Sequence, residues 1–128
     1  MKILIFENEI SGIKDAFNDV NMLDFNNKLD IKYVEKSQNF TDFKNVSQYN
    51  VVFVDIELSS NSDKDGYGVI DDLLKNNYKK IIVLTGNMVK ENLKNKGLDF
   101  IDILTKPILL DRLKDLIQKF SAPTQVSV

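Results

Sequence analysis

The sequence contains no cysteine and no histidine. The first absence excludes disulfides and thiolate metal sites, and the second excludes imidazole as ligand or general base. Whatever chemistry the chain performs must rest on carboxylates, hydroxyls and lysine ammonium groups. Tryptophan is also absent, and two prolines and five glycines are too few for a low-complexity chain. No apolar run approaches the ~20 residues that a membrane-spanning helix needs. The opening MKILIFENEI carries one lysine and an apolar run cut short at Glu7, unlike a secretory signal, so a cytoplasmic location is expected. Nor does one sign of charge dominate. Seventeen basic residues stand against nineteen acidic ones, which supplies no overall field for nucleic acid phosphates and disfavours direct DNA binding.

What is present fits one globular domain. A chain of 128 residues, 43% hydrophobic and 28% charged, can bury a core of its own but has no room for a second. Residues 1–120 are expected to form that domain, with 121–128 (SAPTQVSV from Ser121) as a flexible tail.

Three continuous apolar runs, Ile3 to Phe6, Val51 to Val54 and Ile81 to Leu84, suit strands buried on both faces. Phe100 to Leu104, interrupted by Asp102, is a further strand, and the alternating DIKYV from Asp30 to Val34 reads as an edge strand. Between them lie helical stripes: Ile10, Ile13, Phe17 and Val20; then Tyr67, Ile70, Leu73 and Leu74; then Leu109, Leu113, Leu116, Ile117 and Phe120. Two weaker helices are expected at about Phe40 to Val46 and Asn87 to Lys96. Alternation of this kind predicts an α/β fold, a doubly wound, flavodoxin-like parallel sheet of five strands with five helices on its two faces.

In such sheets ligands bind outside the carboxyl ends of the strands. Here those ends carry Glu7-Asn8-Glu9, Asp55, Thr85-Gly86 and Thr105-Lys106-Pro107. Clustered carboxylates repel by about 1 to 4 kcal/mol per pair, so Glu7, Glu9 and Asp55 together call for a cation, with Mg²⁺ the natural candidate. Lys106 supplies a compact charge suited to a phosphoryl oxygen. Glu9 is read as a solvated first-turn helix residue, Asn87 as the cap of the helix that follows Gly86, and the lysines at 90, 94 and 96 as a solvated face.

Taken in order, Glu7-Asn8, VVFVD ending in Asp55, Asp65-Gly66, IIVLTG with Thr85, and Lys106-Pro107 resemble the receiver domain of two-component response regulators, over nearly the whole chain. The resemblance implies that Asp55 accepts a phosphoryl group from a histidine kinase or phosphotransfer protein. It implies Mg²⁺ held by Asp55, Asn8 and the backbone carbonyl of Glu57, with Glu7 acting through water. Lys106 would neutralise the phosphoryl group, Thr85 would swing inward to bond it, Gly86 would leave the approach open, and a cis bond is expected before Pro107. A downstream protein would be met through the face of the fourth helix, fifth strand and fifth helix. Such a domain turns over no separate substrate and is not expected to be an enzyme.

Three features depart from the family pattern. Asn8 stands where the second acid is usual, Ile103 stands where a switching aromatic ring is common, and Ser59 to Lys64 (SSNSDK) lengthens a loop expected to overhang the site. The first two motivate an alternative, a pseudo-receiver that keeps the fold as a protein-interaction module without phosphorylation. An enzyme of another doubly wound family is disfavoured, because there is no Gly-rich phosphate loop.

Overall fold

The computed structural model describes residues 1–58 and 60–121. Five strands, β1 (Lys2–Phe6), β2 (Asp30–Val34), β3 (Val51–Asp55), β4 (Ile81–Thr85) and β5 (Asp102–Thr105), form one parallel sheet in the order β2-β1-β3-β4-β5. The crossovers are carried by α1 (Ser11–Asp24), two 3₁₀ segments, Ser37–Asn39 and Phe43–Gln48, between β2 and β3, α2 (Gly66–Lys75) and α3 (Lys90–Asn95), and α4 (Leu110–Ser121) follows β5. The doubly wound, flavodoxin-like architecture is thus observed, with the second helical crossover wound as 3₁₀.

The continuous apolar runs are explained by two cores. Alternate residues of a strand point to opposite faces, so Ile3, Ile5, Val51, Phe53, Ile82 and Leu84 pack with Ile13, Phe17 and Val20 of α1 and Leu113, Leu116 and Ile117 of α4. Their neighbours Leu4, Phe6, Val52, Val54, Ile81 and Val83 pack with Val69, Ile70 and Leu73 of α2, Leu93 of α3, and Phe40 and Val46 from the 3₁₀ region. Only β2 shows the alternating exposure of an edge strand.

Several elements differ from expectation for local reasons. FKNVSQ adopts a 3₁₀ rather than an α-helix: Asn, Val and Ser are poor helix formers, and the Asn45 amide bonds back to Asp42 Oδ1 at 2.9 Å. The fourth helix begins at Lys90, not Asn87, and has no side-chain cap, because Val89, which has no side-chain acceptor, stands at its N-cap while Asn87 bonds to Glu57. β5 starts at Asp102, whose carboxylate meets Lys119 at 2.6 Å at the sheet edge, and Phe100 is half-exposed before it. Leu109 lies outside α4 and is exposed. Beyond Ser121 the expected tail lies outside the described residues, as does Ser59.

The candidate phosphoryl-acceptor cleft

The strand register brings the sequence-predicted residues to one end of the sheet. Phe6 pairs with Val54, so Glu7 and Asp55 leave adjacent strands at the same level, and Thr85 of β4 pairs with Thr105 at the end of β5, one residue before Lys106. Lys106 N–H donates to the Thr85 carbonyl at 2.8 Å, which extends the ladder by one rung, and the peptide bond to Pro107 is cis. Asp65 caps α2 by accepting from Gly68 N–H at 2.9 Å. Gly66 follows it against the backbone of Asp55 and Ile56. A Cβ there would fall under 3.0 Å from the Asp55 carbonyl, so only glycine allows α2 to approach β3 this closely.

A cleft of about 260 Å³ opens at this end, lined by Glu7, Asn8, Glu9, Asp55, Glu57, Gly86, Asn87 and Lys106. Asp55 is 4% exposed and Glu7 fully buried. Lys106 Nζ lies 2.5 Å from Glu7 Oε1 and 3.3 Å from Asp55 Oδ2, while Asp55 Oδ1 accepts the Glu57 N–H at 2.9 Å. Glu9 N–H donates to Glu7 Oε2 at 3.3 Å. Burial pushes the Glu7 carboxyl up to about 7, the neighbouring Asp55 carboxylate adds to the rise, and Lys106 opposes it. Burial also works against the charge on Lys106, yet its pairing with the Glu7 and Asp55 carboxylates outweighs that and holds the ammonium above its ordinary value.

Among the described residues no group of three or more acidic side chains is arranged to hold a metal. Asp55, Asn8, Glu57 and Glu7 all line the cleft and carry oxygen donors, and the buried Glu7 Oε1 has an ion pair but no hydrogen bond. This set fits a hard cation that keeps several waters and takes only one or two carboxylates, as Mg²⁺ does.

No protein-family model and no curated protein sequence matches the chain. Solved structures do. A signal receiver domain from Vibrio parahaemolyticus is similar at 25% identity and a TM-score of 0.70, covering 93% of this chain and 88% of that one. The receiver domain of NtrX from Brucella abortus is similar at 20% identity and a TM-score of 0.69, over 92% and 96%. The N-terminal signal receiver domain of a two-component response regulator from Bacteroides fragilis is similar at 13% identity, with a TM-score of 0.69 over 97% and 99%. The chain has the fold of a response-regulator receiver domain.

Within this receiver fold Glu7, Asn8, Asp55, Glu57 and Lys106 share the cleft, and Thr85 stands beside it. Thr85 is 1% exposed, and its hydroxyl accepts from Asn87 N–H at 3.0 Å and donates to the Asn87 carbonyl at 3.3 Å. Asn87 also donates its side-chain amide to Glu57 Oε1. The roles of Asn87 and of the Glu57 side chain were not visible in the sequence, since nothing in their spacing shows that the loops after β3 and β4 turn toward each other. The described residues of the loop expected to overhang the cleft do not line it. They are fastened instead to the segment after β2: Ser37 N–H to Ser62 Oγ at 2.8 Å, Lys64 N–H to Ser37 Oγ at 2.8 Å, Asp63 N–H to Gln38 Oε1 at 2.9 Å, and Gln38 Nε2 to the Asn61 carbonyl at 2.9 Å.

Proposed function

We propose that this receiver domain accepts a phosphoryl group on Asp55 and signals by protein contact. The observation that carries the reading is the placement of Lys106 against both Asp55 and a fully buried Glu7, in a polar cleft beside the Thr85 hydroxyl. An Asp55 carboxylate oxygen forms the bond to phosphorus as the bond to the donor nitrogen of a phosphohistidine breaks, leaving the imidazole with its electron pair. The Glu57 N–H holds the other carboxylate oxygen and fixes the attacking geometry. Lys106 balances the roughly two negative charges of the acyl phosphate. Asp55, Asn8 and the Glu57 carbonyl would hold Mg²⁺, with Glu7 through water, and the ion would offset phosphoryl charge that one lysine cannot.

A histidine kinase or phosphotransfer protein is the donor in this reading. The output face is α3, β5 and α4, where a groove of about 740 Å³ is lined by Leu93, Ile101 and Ile103 together with charged residues of both signs, Lys90, Lys94 and Arg112 beside Glu91, Asp99 and Asp102. With no aromatic ring at 103, phosphorylation must bias the two-state equilibrium of that face through the backbone between Thr85 and α3. The pseudo-receiver remains the second reading, favoured by Asn8, which lowers the count of carboxylates at the metal position. Intact mass after incubation with acetyl phosphate and Mg²⁺, beside an Asp55→Asn variant, tests the two. An adduct on the wild type alone is expected. A folded wild type without adduct, with a control receiver phosphorylated in the same buffer, would sink the phosphoryl-acceptor reading.

A further inference from the structure

β2 lies at an edge of the sheet, and among the described residues it pairs only with β1. Asp30 N–H donates to the Met1 carbonyl at 2.9 Å, and the Val34 carbonyl accepts from Glu7 N–H at 3.0 Å, so residues 30, 32 and 34 direct their backbone groups to β1. Alternation then turns the N–H and C=O of Ile31 and Tyr33 outward, as unpaired groups of an open edge. Leu29 precedes them on that edge. Its N–H is taken by Asn21 Oδ1 at 3.0 Å, which leaves its carbonyl to accept. Leu29, Ile31 and Tyr33 pack into the core on the α1 side, whereas Asp30 and Lys32 are exposed and Lys32 reaches over Phe40 on the other face. The Asn21 bond ties the last turn of α1 to this corner, and that turn exposes two apolar side chains, Met22 at 55% and Leu23 at 67%.

We propose that β2 pairs antiparallel with β2 of a second copy of this chain, about a two-fold axis through Ile31, so that two five-stranded sheets become one. In this register the run Leu29-Asp30-Ile31-Lys32-Tyr33 complements itself. Ile31 faces Ile31, each Asp30 faces a Lys32, and each Leu29 faces a Tyr33. The two Ile31 residues exchange both backbone bonds, and each Tyr33 N–H meets a Leu29 carbonyl. Asp30 and Lys32 then fall at the non-hydrogen-bonded pairs, where side chains across an antiparallel ladder are closest. The central lysine is what selects a second copy. A charge in the middle of so short an edge guards it against strand addition in general, including the neighbouring register of β2 on itself, which sets Lys32 against Lys32. A strand that pairs here must bring an acid opposite Lys32 and a cation opposite Asp30, with an apolar residue between them, and β2 has that pattern. β5 lies at the opposite edge, so the pairing leaves the groove of α3, β5 and α4 open and sends the two clefts to opposite ends of the joined sheet. It does not depend on phosphorylation of Asp55.

Sedimentation of the full chain from about 1 µM to about 1 mM, the span of transient contacts, should show a reversible dimer. Asp30→Lys and Lys32→Asp each turn both cross-strand pairs into like charges, and each should weaken the dimer about tenfold or more. Mixed in equal amounts, those two variants should form a heterodimer of near wild-type strength, because each supplies the charge that the other has lost. The variant carrying both substitutions should associate with itself again. Both positions are exposed, and circular dichroism verifies that each variant folds. Hydrogen exchange followed against concentration shows where the copies meet: the N–H groups of Ile31 and Tyr33 should slow as dimer forms, while β5 is unchanged. A wild type that stays monomeric throughout, a dimer indifferent to the charge variants, no recovery on mixing them, or protection confined to β5 and α4 would overturn the proposal.

Discussion

Lys106 is the residue on which the site's charge balance turns, because among the described residues it is the cation that pairs with both Glu7 and Asp55. Replacing it with Met leaves two buried carboxylates facing each other. Losing one partner of a buried pair costs about 3–5 kcal/mol, and the partial exposure of the Lys106 side chain, 29%, reduces that to about 2–3 kcal/mol. Urea denaturation of Lys106→Met near neutral pH should show this loss, and adding Glu7→Gln should restore most of it by removing one of the opposed charges. A double variant no more stable than Lys106→Met would mean that the carboxylate pair is not the source of the cost. These residues were legible in the sequence because each follows an apolar run that had to be a buried strand, and the fold rule then assigns the residues at the strand ends to one rim. The Asn87 bridge was not, because a side chain two residues past a strand can cap the next helix or cross to a neighbouring loop, and only the shortened α3 decides between these.

Legibility at the level of elements followed burial. Strands buried on both faces and α4, with its one apolar stripe, were readable from periodicity, whereas the segment between β2 and β3 was not. Phe40, Val46 and Tyr49 are buried there at spacings that 3₁₀ turns and an extended chain satisfy as well as a helix does. The Ser59 to Lys64 loop misled in direction, since length alone does not show that Ser37 and Gln38 offer it partners on the far side. The same region carries a pH-sensitive tie between elements. Tyr78, in the turn after α2, is buried and donates its hydroxyl to the Tyr49 carbonyl at 2.9 Å, joining that turn to the one before β3. Burial raises its pKa above the ordinary 10.0. A folded-state value above the unfolded one means the folded chain holds the proton more tightly. The contribution is therefore full below about pH 10 and is lost as pH rises beyond it. Tyr78→Phe should cost about 1 kcal/mol near neutral pH, and its deficit against wild type should shrink above about pH 10. Tyr33 and Tyr49 are raised in the same direction, so the variant should retain part of the alkaline loss. Denaturant midpoints followed from neutral to alkaline pH give the comparison, and a constant deficit across that range would show that Tyr78 does not ionise on unfolding.

At the scale of the whole molecule, one sheet serves two cores, and this determines how the fold fails. Phe17 packs edge-to-face on Phe53 at 5.1 Å on the α1 and α4 side, and Phe40 packs edge-to-face on Phe6 at 5.7 Å on the opposite side. Every strand between β2 and β4 contributes to both layers, so neither layer can open without exposing the backs of the strands that hold the other. Phe17→Ala should cost about 3–5 kcal/mol, as removal of a fully buried phenylalanine does, and Phe40→Ala should fall at the low end of that range because its neighbour Phe43 is only partly buried. The two sites lie on opposite faces of the sheet with no shared partner, so their costs should add to within about 0.5 kcal/mol. Both should lower one cooperative transition with its denaturant slope unchanged. The informative alternative is a Phe40→Ala variant with a reduced slope or an early transition in hydrogen exchange confined to residues 35–50. That result would mean the 3₁₀ segment opens separately from the sheet, so that the β2 edge, and the loop fastened to it through Ser37, is a unit of its own rather than part of the frame that holds Asp55.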